Sequence, residues 1–316
     1  MNTANPFDLP AGSKGKGWIE VSRLPGGRVV GIPWMAVKGL ETGPTLTANC
    51  GVHGDEYEGG EAIRQIWREL DPGKLTGTWL GIPVVNIAAY EVGQRVSPLD
   101  AVNLNRIFPG DGTPSITGML ARRYFNEIVL KSDAVLDFHA GGNPLSLVPV
   151  VAFSGGSKES LELAKRTGIA LLWEMPTIWS GSLCMAASQV GVPTVTPEIG
   201  NNGRLDPPYV DMSRRIILNV MISMGMCEGE RYQSEEQRVI RGGFAHSGVG
   251  GLFQPVVSLG EEVERGQLLA TIRDVFGETL EEVRSPCSGI LCAYRTIPPI
   301  LPGDQTVFVG EVVETL

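Results

Sequence analysis

Three histidines in a chain of 316 residues leave few ways to hold a metal ion. His53 lies in the stretch Asn49-Cys50-Gly51-Val52-His53-Gly54-Asp55-Glu56, directly after the apolar run Thr45-Leu46-Thr47-Ala48. An imidazole and a carboxylate three residues apart, on a turn stiffened by Gly51 and Gly54, can both reach one divalent cation. A catalytic zinc site uses three protein donors of the His and Glu/Asp type and leaves one position for water. The third donor must come from elsewhere in the chain. His139, in Ala134-Val135-Leu136-Asp137-Phe138-His139-Ala140-Gly141-Gly142, again stands where an apolar strand runs into a glycine turn. His53, Glu56 and His139 form the natural triple. A His-x-x-Glu pair alone recurs by chance on surface turns; a second histidine at a strand end makes the grouping more specific. His246 belongs to a stretch of different character and reads as structural or interdomain rather than as a ligand.

Other residues could complete a reaction centre. The long loop Gly93–Gly110 carries Arg95 and Arg106, and loops of that length inside a compact domain are usually functional or disordered. This one is too apolar and too rich in Pro and Asn for disorder. A guanidinium can hold a carboxylate through two parallel bonds or stabilise an oxyanion. Arg106 taken alone reads equally well as a loop staple on backbone carbonyls. Glu198, in Thr194-Val195-Thr196-Pro197-Glu198-Ile199-Gly200, sits at a strand end. There it is either solvated or a general base facing a water. Asp137, two residues before His139 in a strand, points to the same side and is either the acceptor that orients the imidazole or a plain strand-end aspartate. Cys50 reads as a buried strand-end thiol before a thiolate ligand.

These residues need a frame. Gly17–Val21 and Arg28–Val37 read as two strands joined by the turn Leu24-Pro25-Gly26-Gly27, and 45–50 as a third. Glu58–Leu70 places Ala62, Ile63, Ile66, Trp67 and Leu70 on one helical face, and Asp71-Pro72-Gly73 stops it. Strands are expected at Thr78–Val85, Ala134–Phe138, Val148–Phe153, Ile169–Leu172 and Thr194–Thr196, and helices at Ser115–Leu130, Ser157–Thr167 and Pro208–Met224. This alternation predicts an α/β fold with a mixed, mainly parallel sheet and helices on both faces. Sites in such sheets gather at the carboxyl ends of strands, where His53 and His139 are both placed.

The polar run Glu228–Gln237 reads as a linker, which divides the chain into a catalytic domain, 1–228, and a small all-β domain, 229–316. In the latter, His246-Ser247-Gly248-Val249 and Cys287-Ser288-Gly289-Ile290 open two similar half-motifs. They suggest a pseudo-symmetric sandwich resembling the biotinyl/lipoyl fold. A carrier role requires a lysine on the hairpin between the halves, and the last lysine here is Lys165.

Composition limits the partners. A net charge of −9 disfavours nonspecific attraction to nucleic acid or anionic membranes. No apolar run approaches the roughly 18 residues of a membrane span, and the N-terminus lacks the features of a signal peptide, so a cytoplasmic location is expected. The five cysteines are scattered without a Cys-x-x-Cys pair.

Four ordered blocks resemble the succinylglutamate desuccinylase/aspartoacylase family, amide hydrolases with a zinc-carboxypeptidase-like core. The blocks are Gly51-Val52-His53-Gly54-Asp55-Glu56, Asn103-Leu104-Asn105-Arg106-Ile107-Phe108-Pro109-Gly110, Asp137-Phe138-His139 and Pro197-Glu198-Ile199-Gly200. The resemblance spans about residues 45–225, and a C-terminal β domain is a usual companion. It implies that His53, Glu56 and His139 bind one zinc per chain. Glu198 would be the base, Arg95 would polarise the scissile carbonyl, and Asn105 and Arg106 would hold the substrate α-carboxylate. Two positions depart from the pattern: Asn103 stands where an acidic residue is frequent, and Ile87 where proline is. The implied reaction is deacylation of a small N-acyl amino acid, with succinylglutamate, acetylaspartate and N-acetyl-diaminobutyrate all within range. The alternatives are a zinc carboxypeptidase acting on short peptides and a non-catalytic metal-binding homologue. Oligomeric state, including a homo-oligomer, is open at this level.

Overall fold

A computed structural model describes residues 5–112, 114–176 and 180–316. The first part of the chain supplies strands β1 (Ser13–Arg23), β2 (Val29–Lys38), β3 (Glu41–Asn49), β4 (Thr76–Ile82), β5 (Ala134–Asp137), β6 (Leu145–Leu147), β7 (Val150–Ser154), β8 (Leu171–Met175) and β9 (Thr194–Glu198). Its helices are α1 (Glu58–Glu69), α2 (Ile87–Glu91), α3 (Ile116–Glu127), α4 (Lys158–Arg166), α5 (Leu183–Gln189) and α6 (Pro207–Ser223). The strands lie in the order β1-β2-β4-β3-β5-β9-β7-β8.

The sheet is mixed, and less dominated by parallel pairs than the alternation of elements predicts. β4, β3, β5 and β9 run parallel at its centre, and so do β7 and β8. The pairs β1–β2, β2–β4 and β7–β9 are antiparallel. The cause at the first edge is local: a five-residue turn allows only an antiparallel return, because parallel neighbours need a crossover of a dozen or more residues.

Helices cover both faces. One core gathers Ile63, Ile66, Leu136, Phe138 and Ile217 beneath α1, α4 and α6; the other gathers Trp34, Leu80, Leu120, Tyr124 and Leu183 beneath α3 and α5. Helices α2 and α5 are not foreseen from sequence. At five and seven residues neither is long enough to show a helical period.

Helix α1 brings the first histidine turn to the second. Its apolar residues at helical spacing bury against the sheet, and it stops at Leu70, whose extended backbone leads into Asp71-Pro72. Its first turn is stripped of side chains at Gly59: a Cβ there would lie 2.3 Å from Cβ of Phe138, the residue before His139. The helix therefore docks directly on the end of β5, which carries Glu56 close to His139. Gly59→Ala is expected to overpack this joint and lower stability by about 1–3 kcal/mol, measured as a fall in the urea midpoint at constant slope.

The C-terminal stretch adds β10 (Arg238–His246), β11 (Gly251–Pro255), β12 (Glu262–Val263), β13 (Leu268–Arg273), β14 (Thr279–Arg284), β15 (Gly289–Arg295), β16 (Pro299–Ile300) and β17 (Gln305–Thr315). β10 pairs in parallel with β8, and β17, β15 and β12 follow it, so the large sheet continues without a break past residue 228. β6 also pairs with β15. A second sheet, β14-β13-β11-β16, packs Phe253, Leu269 and Ile272 against Leu291, Val307 and Val309 of the first. No helix among the described residues is long and apolar enough to cross a membrane.

Candidate active site

His53, Glu56 and His139 come together at the carboxyl ends of β3 and β5, with one donor atom from each lying within 4.8 Å of the others. All three are almost completely buried. Glu56 lies between the rings: Oε1 is 2.8 Å from Nδ1 of His53 and Oε2 is 2.8 Å from Nδ1 of His139. The two Nδ1 atoms are 3.1 Å apart. The turn that carries His53 has no slack, because a Cβ on Gly54 would stand 2.2 Å from the carbonyl oxygen of Ala89.

The outward nitrogens fix both rings. Nε2 of His53 is 3.2 Å from Oδ1 of Asn103, and Nε2 of His139 is 3.2 Å from Oδ2 of Asp137. With the proton placed on Nε2 of each ring, these oxygens accept it and both Nδ1 atoms face the centre of the cluster; Nδ2 of Asn105 also lies 3.4 Å from Nε2 of His139. Asp137 is held in turn by Nδ2 of Asn49 at 2.6 Å. Asn103 is the residue the sequence reading sets aside. An amide oxygen accepts the imidazole proton there as a carboxylate would, and the same oxygen accepts Asn105 N–H at 2.9 Å. Asn103→Leu is expected to weaken metal binding by about 10–100-fold, with Asn103→Asp close to wild type, as measured by competition with a chromophoric chelator.

Charge separates the two histidines. Burial pushes His53 down to about 4, helped by Arg95 and His139 and opposed by Glu56. Burial presses on His139 too, but the carboxylates of Asp137 and Glu56 outweigh it and hold this imidazole well above its usual range. A proton shared by the pair therefore resides on His139. Glu56, between two imidazoles that outweigh its burial, is held well below the ordinary carboxylate range.

Glu198 ends β9 beside His139. The backbone bonds His139 N–H to Pro197 O and Ile199 N–H to His139 O, both at 2.9 Å, set the two residues side by side. Its carboxyl is pushed up to about 7, first by burial and then by Glu56 and Asp137, against the pull of His139 and Arg95. Arg95, 44% exposed in its side chain, reaches Oε1 of Glu56 at 3.1 Å. Its loop is anchored by Asp100, which accepts from the N–H and the hydroxyl of Thr117 at 2.9 and 2.7 Å. The side-chain Oδ1 of Asn105 accepts from Leu183 N–H at 2.9 Å, at the start of α5. Arg106 donates to the carbonyl of Asn105 at 2.7 Å.

These seven residues line one cavity. Its remaining wall is mostly apolar and includes Leu145, Trp173, Phe244, Gln305, Phe308 and the buried thiol of Cys292. Sequence reading has no means of finding them, since they ride on strands far apart in the chain. His246 is exposed and Cys50 is buried behind the turn, its thiol directed at the carbonyl of Glu56. Neither lines the cavity.

The donor set suits a divalent cation. Two imidazoles and a carboxylate meet at hydrogen-bond distances around one point, with both rings held by outward acceptors, and a cation entering there takes the place of the proton on His139. Such a group at the carboxyl ends of strands in a mixed α/β sheet has the chemistry of a metal-dependent hydrolase. Residues 42–224 match the profile of the succinylglutamate desuccinylase/aspartoacylase catalytic domain. The chain belongs to the succinylglutamate desuccinylase/aspartoacylase family. It is 33% identical over 298 residues to an N-alpha-acetyl-L-2,4-diaminobutyric acid deacetylase from Halomonas elongata, covering 90% of this chain and 87% of that one. Among solved structures it is similar to the product-bound ectoine utilization protein EutE (DoeB) from Ruegeria pomeroyi, with a TM-score of 0.89, 26% identity and coverage of 98% and 99% of the two chains. It is also similar to a succinylglutamate desuccinylase/aspartoacylase from Rhodobacter sphaeroides, with a TM-score of 0.85, 28% identity and coverage of 97% and 98%.

Proposed function

We propose that this chain is a zinc-dependent deacylase that hydrolyses the amide bond of a small N-acyl amino acid. The observation that carries the reading is the buried His53–Glu56–His139 cluster with Glu198 and Arg95 on the same cavity. The full-length relative named as an N-acetyl-diaminobutyrate deacetylase supports amide hydrolysis and makes N-acetyl-diaminobutyrate a compound to test.

His53, Glu56 and His139 would hold the zinc. When bound, it supplies a Lewis acid and lowers the pKa of its water to near neutrality. The chain's own residues do the rest. The Glu198 carboxylate takes a proton from the attacking water and returns it to the leaving nitrogen. The Arg95 guanidinium donates to the carbonyl oxygen as negative charge develops. Asn105 and Arg106 orient the substrate through its α-carboxylate. We further propose that residues 1–228 form the catalytic domain and 229–316 a β-sandwich domain of the biotinyl/lipoyl type. Phe244, Gln305 and Phe308 of the latter stretch close the cavity, which favours a small substrate over a peptide.

The test measures metal content and hydrolysis of a panel of N-acyl amino acids beside short peptides. About one zinc per chain and turnover of a panel member support the reading. A protein that takes up no zinc after loading sinks it, and turnover of peptides alone favours the carboxypeptidase alternative. Loading must also follow pH. His139 retains a proton well above its usual range, so the cation has to displace it and affinity falls as pH falls. Calorimetry in buffers of different ionisation enthalpy is expected to find close to one proton released per zinc bound.

A further inference from the structure

The charges on the cavity wall are distributed very unevenly. Every charged or histidine residue that lines it belongs to the reaction centre: His53, Glu56, Arg95, Arg106, His139 and Glu198. The opposite wall is uncharged among the described residues. It is built by Leu145 and Leu147 of β6, Trp173 of β8, Phe244 of β10, and Gln305 and Phe308 of β17. Members of a family with small charged substrates need a partner for the second charge, since burying an unpaired ion is costly. This wall supplies neither a carboxylate for an ammonium group nor a guanidinium or lysine for a second carboxylate.

An aromatic cage could hold an ammonium without a carboxylate, but the rings here are packed on one another. The Trp173 and Phe308 centroids are 4.7 Å apart at 44°, and those of Phe244 and Phe308 are 5.6 Å apart at 41°. Trp173 Nε1 donates to the carbonyl of Gly242 at 3.2 Å, which pins its indole. Rings stacked into a continuous surface suit a flat or aliphatic group better than a point charge. Apart from the buried Cys292 thiol, which donates to Ile290 O at 3.3 Å, the polar side chain of this wall among the described residues is the partly buried Gln305, whose side-chain amide makes no hydrogen bond to another described residue.

We infer that this wall is the selectivity surface of the enzyme and that it takes a neutral, apolar group of the substrate. The proposal rests on the deacylase reading and names the substrate class within it. The apolar group is either the amino-acid side chain or the acyl chain, and isosteric pairs separate the two. N-acetyl-norvaline differs from N-acetyl-2,4-diaminobutyrate by a terminal methyl in place of an ammonium. N-butanoyl-alanine differs from N-succinyl-alanine by a methyl in place of a carboxylate. The neutral member of at least one pair is expected to have a kcat/KM at least about tenfold higher, and the pair that responds identifies the group. Equal rates within both pairs, or a preference for the charged member of either without a neutral preference in the other, overturn the proposal.

Gln305→Glu places a carboxylate in the wall with little change of shape. It is expected to move the norvaline-to-diaminobutyrate ratio about tenfold toward the ammonium if the side chain faces the wall. If the acyl chain faces it, the variant is expected to depress the succinyl compound further. A variant that changes neither ratio overturns the assignment of this surface. Calorimetric binding of the same four compounds to Glu198→Gln protein reads the preference without turnover. A neutral preference in binding with no hydrolysis of any member would therefore sink the deacylase reading and leave the selectivity surface standing.

Discussion

Replacing Glu198 by glutamine is expected to lower kcat by about 10²–10⁴, the range associated with a positioned proton-transfer group, while zinc content stays near that of wild type. Glutamine keeps the shape of the side chain at the end of β9 and the backbone bonds that seat it beside His139. What it removes is the ability to accept a proton. The pH profile gives an independent check. A base works only when ionised, so the rate must rise with pH through the pKa of Glu198. That group lies at about 7 through burial and the neighbouring carboxylates; a cation nearby brings it lower. On the proposed role the acid limb of kcat/KM, measured at saturating zinc, is expected to follow this group, and its loss in the variant distinguishes a base from a residue that merely shapes the cavity. Loss of zinc from Glu198→Gln would reassign the residue to the metal site.

Arg95→Ala is expected to cost about 10²–10³ in kcat, as for a single oxyanion donor. The guanidinium reaches Glu56 at 3.1 Å while remaining 44% exposed, so two roles are open to the same side chain. As an oxyanion donor, its removal lowers kcat and leaves zinc affinity unchanged. If its work is to hold Glu56, zinc affinity falls and added zinc restores the rate. Arg95→Lys keeps the charge but loses the planar pair of donors, and is expected to recover only part of the rate. Measuring kcat and zinc affinity on the same preparations decides between the two.

The candidate site is readable in the sequence because chemistry constrains residue type. With only three histidines, His53 and His139 stood out by position alone, each after an apolar run and before glycine. The core elements are readable for a similar reason: α1 carries a helical period and β3 a short, largely buried run ending at Asn49. Asn103 escaped because an amide does not announce itself as a ring acceptor. Its role exists only once the loop from Gly93 to Gly110 has folded back over His53. The selectivity wall escaped for a different reason. Trp173, Phe244 and Phe308 look like ordinary core residues in any window of sequence, and only the pairing of β8 with β10, and of β10 with β17, brings them together. A mixed sheet is expected from the sequence, but only the antiparallel β1–β2 pair follows from a short connection; the antiparallel β7–β9 pair joins strands far apart in the chain and carries no local signal.

The continuity of the large sheet has a consequence for biosynthesis. β17 is made after every other strand described here, and it contributes two residues to the cavity while pairing with β10 and β15. Contacts between residues so distant in sequence form late and slowly. A nascent chain can bring the histidine cluster together early, since His53 and His139 both precede residue 140, yet its cavity stays open on one side until β17 has left the ribosome. Until then β10 presents an unpaired edge and an aromatic side chain to solvent or to a chaperone. Competence for metal should therefore precede competence for substrate in the life of each molecule.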